Sequence, residues 1–191
     1  MSIESSQFGK LGEIEGVFKW SIPLHRDERG QLMKAYVAEK EGSFPTQFKT
    51  FEHFFTKSKK DVFRGLHFQN SPHAVTKVIS LVSGSAEIYL FDSRKDSVSY
   101  GVIHKLLVME ESPISIYVPI GVALGYLILE DETIVSYQMD GKFCGNCDAG
   151  IDPSILSSYM SMPLARTIRS TRDLALKAYN GVIPDSICSI N

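Results

Sequence analysis

Between Thr76 and Gln138 the chain is a succession of short β-branched and apolar runs, at 76–82, 86–92, 104–109, 114–118, 123–130 and 133–138. Four of them are closed by a turn-forming or charged cluster: Ser83-Gly84-Ser85, Glu110-Glu111-Ser112-Pro113, Pro119-Ile120-Gly121 and Glu130-Asp131-Glu132. Runs this short leave no room for the crossover helices that parallel strands require, so they predict antiparallel pairing in a sandwich or barrel. Upstream, the stretch from Val17 to Val37 reads as strand, turn and strand, with Asp27-Glu28-Arg29-Gly30 as the turn. Helical signals are confined to the C-terminal third. Residues 153–160 read as a turn or two, and Ser170 reads as a cap before a short helix through 174–179, ended by Asn180-Gly181. The expectation is one all-β domain over residues 1–191 with a few short, mainly C-terminal helices.

The rest of the composition narrows the class. A chain of 191 residues can bury a sizeable single core. With 20 basic against 22 acidic residues it has no global attraction to nucleic acid or anionic membrane. No apolar run approaches the roughly 18–20 residues of a spanning helix, and the first residues lack the charged and apolar regions of a secretory signal. Three cysteines, Cys144, Cys147 and Cys188, are too few for a disulfide framework. A cytoplasmic protein with no nucleic-acid or membrane partner is the expectation.

The densest chemistry lies in Arg64-Gly65-Leu66-His67-Phe68-Gln69. If this is a strand, alternation sends Arg64 and Leu66 to one face and Gly65 and His67 to the other. A glycine beside a working histidine lets backbone or ligand approach closely. A metal reading is poorly supported: none of His25, His53, His67, His73 and His104 stands two residues from another, and no carboxylate near His67 and His73 completes a ligand set. We therefore expect no metal and no cofactor. Cys144-Gly145-Asn146-Cys147 has the spacing of half a zinc knuckle and reads first as two thiols in a turn, with a structural zinc or a redox pair as competing readings. No phosphate-cradling glycine loop and no nucleophile elbow is present. Acid–base chemistry centred on His67 is what remains.

These residues resemble the dTDP-4-dehydrorhamnose 3,5-epimerase family of cupins, over most of the chain from Asp27 to Asp173. The Arg64–Gln69 signature carries most of the likeness, with Asp27-Glu28-Arg29-Gly30, Lys77, Gly84, Asp92-Ser93-Arg94, Pro119 through Tyr126, Tyr137 and Arg169 through Asp173 following in the family's order. The resemblance implies a cupin jelly roll acting on a nucleotide-diphospho-4-keto-6-deoxy sugar in deoxysugar and surface polysaccharide (O-antigen or capsule) synthesis, as a homodimer. It implies His67 as base, Asp173 as its orienting carboxylate and Tyr137 as acid. It also implies substrate contacts from Arg64, Lys77, Arg29, Gln69, Phe143 and Leu124. Physical chemistry agrees with such roles: a proton beside a ketone is removable only if the enolate is stabilised by a nearby cation, and histidine suits its removal at neutral pH.

Several positions depart from the family pattern. Leu124 stands where the family has a histidine, Phe143 where it has a second tyrosine, and Glu52-His53-Phe54 replaces a polar stretch. The catalytic set survives while its surroundings change, which favours an active enzyme with altered substrate contacts, dTDP-, CDP- or GDP-linked. Two alternatives stay open: a nucleotide-sugar-binding relative without turnover, and a 3,4-ketoisomerase on the same fold.

Overall fold

The computed structural model describes residues 8–35 and 48–181; Val37 and Cys188 lie outside the described residues. Among the described residues thirteen strands follow in chain order: β1 (Phe8–Lys10), β2 (Phe18–Ser21), β3 (Leu24–Asp27), β4 (Gly30–Met33), β5 (Glu52–Ser58), β6 (Phe63–Gln69), β7 (Lys77–Ser83), β8 (Ser85–Asp92), β9 (Ile103–Met109), β10 (Ile114–Val118), β11 (Val122–Ile128), β12 (Thr133–Met139) and β13 (Asp148–Gly150). They form a six-stranded sheet in the order β1-β2-β10-β7-β12-β5, a five-stranded sheet in the order β13-β6-β11-β8-β9, and the separate hairpin β3-β4. All strand pairs are antiparallel. From β5 onward the chain changes sheet at nearly every connection, and only β8 and β9 follow one another within a sheet. This is an all-β jelly roll.

The turn chemistry explains the crossings. Gly84 alone separates β7 from β8, which lie in different sheets. Its φ of +82° is a conformation that only glycine adopts without strain, and a side chain there would meet Thr133. Asp27-Glu28-Arg29-Gly30 closes β3 onto β4 as expected, with Asp27 pairing to Gly30.

Two cores result. Ile79, Leu81, Ile116 and Val135 of the larger sheet meet Ile88, Leu90, Leu124, Tyr126 and Ile128 of the smaller one. On the outer face of the smaller sheet, Phe63, Leu66, Phe68, Tyr89 and Phe91 pack against Ile151, Leu156, Met160 and Tyr179 from the C-terminal segment. With both faces covered, β8 and β11 are buried at every position, which is why they read as continuous apolar runs.

That covering segment corrects one expectation. Residues 153–156 form a single 3₁₀ turn, and the one α-helix among the described residues, α1 (Thr171–Leu174), is a single turn too. Residues 175–179 are not helical. The Lys177 carbonyl accepts from the Asp152 N–H at 2.8 Å, and Tyr179 packs edge-on against Phe91 at 4.9 Å between ring centres. Tertiary docking of an extended strap outweighs a weak local helix propensity. Ser170 does cap: its hydroxyl accepts from the Asp173 N–H at 3.1 Å.

Candidate active site

A cleft of about 200 Å³ opens between the sheets, with walls from β5, β6, β7, β11 and β12. Its first surprise is local to β6. His67 pairs with Leu124 and Arg64 with Tyr126, so three residue steps on β6 oppose two on β11. The extra residue makes a bulge. Strict alternation would have set Arg64 and His67 on opposite faces; the bulge turns both into the cleft, while Phe63, Leu66 and Phe68 enter the outer core. Gly65 sits at its centre with φ of +121°. A Cβ there would lie 2.5 Å from the Gly125 Cα and 2.7 Å from the Leu124 carbonyl oxygen. The predicted close approach is therefore between two backbones.

Asp173 arrives from α1, buried, and its Oδ1 lies 2.6 Å from His67 Nε2. Burial pushes the Asp173 carboxyl up, but the hydrogen bond and charge of His67, the Arg172 guanidinium and the Gly65 N–H together hold it below the ordinary carboxylate range. An ionised carboxylate accepting from Nε2–H leaves Nδ1 as the ring's proton acceptor. The bulge glycine thus has a second task, since its N–H helps hold the carboxylate that holds the histidine.

Tyr137 enters from β12, in the opposite sheet. Phe54 stacks on its ring at 4.9 Å and 6°. Its hydroxyl shares a hydrogen bond with that of Tyr126, which in turn lies 2.9 Å from Thr56 Oγ1. Burial pushes the Tyr137 phenol well above its ordinary value, with Tyr126 adding to the effect. It stays protonated through the neutral range.

The cleft is also rich in cations. Lys77 is almost fully buried, and its ammonium donates to the His67 carbonyl at 3.2 Å. Burial lowers its pKa to about 8, opposed by the charge of Asp148 and reinforced by that of Arg172. Arg64 Nε donates to Ser58 Oγ at 3.1 Å, and Arg172 pairs with Asp148 at 2.6 Å. Burial in turn pushes the Asp148 carboxyl up, against the pull of Arg172, His67 and Lys77.

The remaining expected residues divide. Leu124 lines the cleft and belongs to the inter-sheet core, an apolar wall beside His67 on the neighbouring strand. Phe143 stands half-exposed on the rim. Gln69 lines the cleft, but its amide is committed to backbone: Nε2 donates to the His73 and Lys142 carbonyls at 2.6 and 3.3 Å, and Oε1 accepts from the Cys144 N–H at 2.7 Å. Arg29 lies outside the cleft of its own chain, exposed at the hairpin tip and ion-paired with Asp27. Asp92-Ser93-Arg94 is also remote; Asp92 accepts from Arg94, Ser97 and Ser99 and staples the loop after β8. Asp148, Arg172, Tyr126 and Phe54 were not singled out from the sequence. Tyr126 and Arg172 lay inside the family motifs and Phe54 inside a stretch that departs from them, whereas nothing in the pattern marked Asp148.

A sequence model described as dTDP-4-dehydrorhamnose 3,5-epimerase matches residues 12–180. The chain belongs to that family. It is 28% identical over 165 residues to the dTDP-4-dehydrorhamnose 3,5-epimerase of Shigella flexneri, covering 85% of this chain and 90% of the relative. It is 30% identical over 148 residues to the enzyme of that name from Methanothermobacter thermautotrophicus, covering 74% and 78%. The crystal structure of dTDP-4-dehydrorhamnose 3,5-epimerase from Elizabethkingia anophelis superposes with a TM-score of 0.79 at 26% identity, over 91% of this chain and 96% of that one. Family membership makes the chain an epimerase-type enzyme of nucleotide sugars, as the sequence motifs implied. Among the described residues no helix is long and apolar enough to cross a membrane.

Proposed function

We propose that the chain epimerises a nucleotide-diphospho-4-keto-6-deoxy sugar at C3, C5 or both. The observation that carries this is the placement of the His67–Asp173 pair and a protonated Tyr137 on opposite sheets of one cleft. Neutral His67 takes the proton from the carbon beside the ketone through Nδ1. Asp173 keeps the ring in the right tautomer and stabilises the imidazolium. The Lys77 ammonium stabilises the enolate oxygen. Tyr137 then delivers a proton from the other side of the ring, and exchange with solvent restores both groups. Arg64 and Arg172 supply charge for the diphosphate, for which a guanidinium is well shaped.

The likeness to dTDP-sugar epimerases favours dTDP as the nucleotide. Leu124 and Phe143 mark where substrate contacts differ from the family pattern, so CDP- and GDP-linked substrates belong in the test. The product would serve deoxysugar synthesis, with a surface polysaccharide as its destination. A homodimer fits the edge position of β5 and the exposed Phe51 just before it and Phe55 within it.

The test is incubation in D₂O with dTDP-, CDP- and GDP-4-keto-6-deoxyglucose, followed by NMR, with His67→Ala in parallel. Deuterium entering at C3, at C5 or at both, and absent with His67→Ala, is the expected result. Binding without exchange would make the chain a non-catalytic relative. A carbonyl that moves from C4 to C3 would make it a ketoisomerase.

A further inference from the structure

We propose that His73, Cys144 and Cys147 form a zinc site on two loops beside the mouth of the cleft. Cys144 and Cys147 bracket a tight turn, closed by the Cys147 N–H donating to the Cys144 carbonyl at 3.0 Å. A Cys-x-x-Cys turn presents two sulfurs to one point, the usual half of a zinc knuckle. The loop between β6 and β7 supplies the third donor. His73 stands far away in sequence, yet its ring nitrogen and the two sulfurs all lie within 4.8 Å of one another. A tetrahedral zinc holds such donors roughly 3.4–3.8 Å apart at ordinary bond lengths, so rotation of exposed His73 and half-exposed Cys144 closes the set around buried Cys147.

The loops are already tied in the required register. Buried Gln69 donates to the His73 carbonyl and accepts from the Cys144 N–H, one amide joining both ligand-bearing segments. The Asn70 N–H donates to the Cys147 carbonyl at 2.8 Å, and the His73 N–H to the Asn70 carbonyl at 3.2 Å. Such groups behind the ligands fix their orientation and sharpen affinity.

The donor set selects the ion. Two sulfurs and an imidazole, with no carboxylate among them, suit zinc rather than magnesium or calcium. Each thiol loses its proton on binding, so the two thiolates neutralise the charge of the ion while neutral His73 adds a lone pair. Water or an added ligand fills the fourth position. A Cys144–Cys147 disulfide is the competing chemistry, but a disulfide has no use for a third donor at the same point. The zinc would pin the segment that carries Phe143 to the cleft rim. None of its ligands is the base, the orienting carboxylate or the acid, so the site stands whether or not the epimerase reading holds.

The experiment uses the untagged full chain under reducing conditions, titrated with Co²⁺ and then Zn²⁺. The expected result is one ion per chain, with a thiolate-to-cobalt charge-transfer band and tetrahedral d–d bands that zinc abolishes. Gln69→Ala is expected to weaken binding about 10–100-fold, and Cys144→Ser and His73→Ala at least as much, in variants that retain the β-rich circular dichroism of the parent. The proposal is overturned if the reduced chain shows no charge-transfer band. It is equally overturned if the band survives Cys144→Ser and His73→Ala, or if only a Cys144–Cys147 disulfide forms in air with no metal bound beforehand.

Discussion

Lys77 and Tyr137 share the cleft, and burial acts on them in opposite electrical senses. It disfavours the charged form of each, so the phenol is kept neutral and the ammonium is made easier to lose. The neutral phenol is the form an acid needs. The ammonium is the form an enolate needs, and with its pKa lowered to about 8 it is lost just above neutrality. The consequence for activity has a definite sign. On the proposed mechanism, kcat/KM, which reports the free enzyme, falls as pH rises through about 8. In Lys77→Arg the guanidinium does not titrate in this range, so the basic limb moves to higher pH even though the altered reach lowers the maximum. A pH–rate series on the two proteins checks this. An unchanged limb near 8 in the variant would assign the titration to another group.

At the scale of elements, β6 shows what pattern reading captures and where it stops. Short apolar runs and turn residues located the strands from β7 to β12 within a residue or two; period-two alternation is the further rule that assigns each strand residue a face. That rule put Arg64 and His67 on opposite faces, and the bulge at Gly65 overrides it. A bulge is a property of two strands in register, so one strand's sequence contains only its glycine. The lost helix over 174–179 has a similar cause, since its residues look helical alone and are claimed by Asp152 and Phe91 from elsewhere. Asp173 was legible through the family resemblance, while Asp148 was not, because only the fold brings it to Arg172. Gly65 is the position where this matters most. Gly65→Ala introduces a Cβ 2.5 Å from the Gly125 Cα, on backbone that cannot swing aside, at a φ that alanine resists. We expect a loss on the order of 3 kcal/mol in denaturant unfolding, from strain and overpacking combined. Activity should fall further than stability explains, because β6 can relieve the clash only by shifting His67 relative to Asp173.

Over the whole molecule, Asp92 joins segments that are distant in sequence. It ends β8, accepts from Ser97 and Ser99 in the connection to β9, and pairs with Arg94 at 2.7 Å. Arg94 in turn donates to the Glu15 carbonyl, and the Glu15 N–H donates to Ser99 Oγ, so the N-terminal loop is latched to the far end of the smaller sheet. Asp92 is fully buried, and burial alone would push its carboxyl up; the hydrogen bonds of Arg94, Ser99 and Ser97 outweigh that and hold it at about 2. Its folded pKa is depressed from 3.8, so its contribution to stability is complete above 3.8 and is lost as pH falls from there through about 2. At about 1.4 kcal/mol per unit, the linkage is worth on the order of 2 kcal/mol. Asp92→Asn keeps the shape but leaves Arg94 without its charged partner. Urea unfolding near neutral pH should show the variant less stable by about 2–3 kcal/mol. Between pH 3.8 and about 2 the stability of the wild type should then converge on that of the variant, which no longer has this proton to bind. Asp173, also held low by its partners, loses stability in the same direction in both proteins and so cancels from the comparison. Parallel stability curves down to acid pH would show that Asp92 has the same pKa folded and unfolded, and that its charge contributes nothing to the latch.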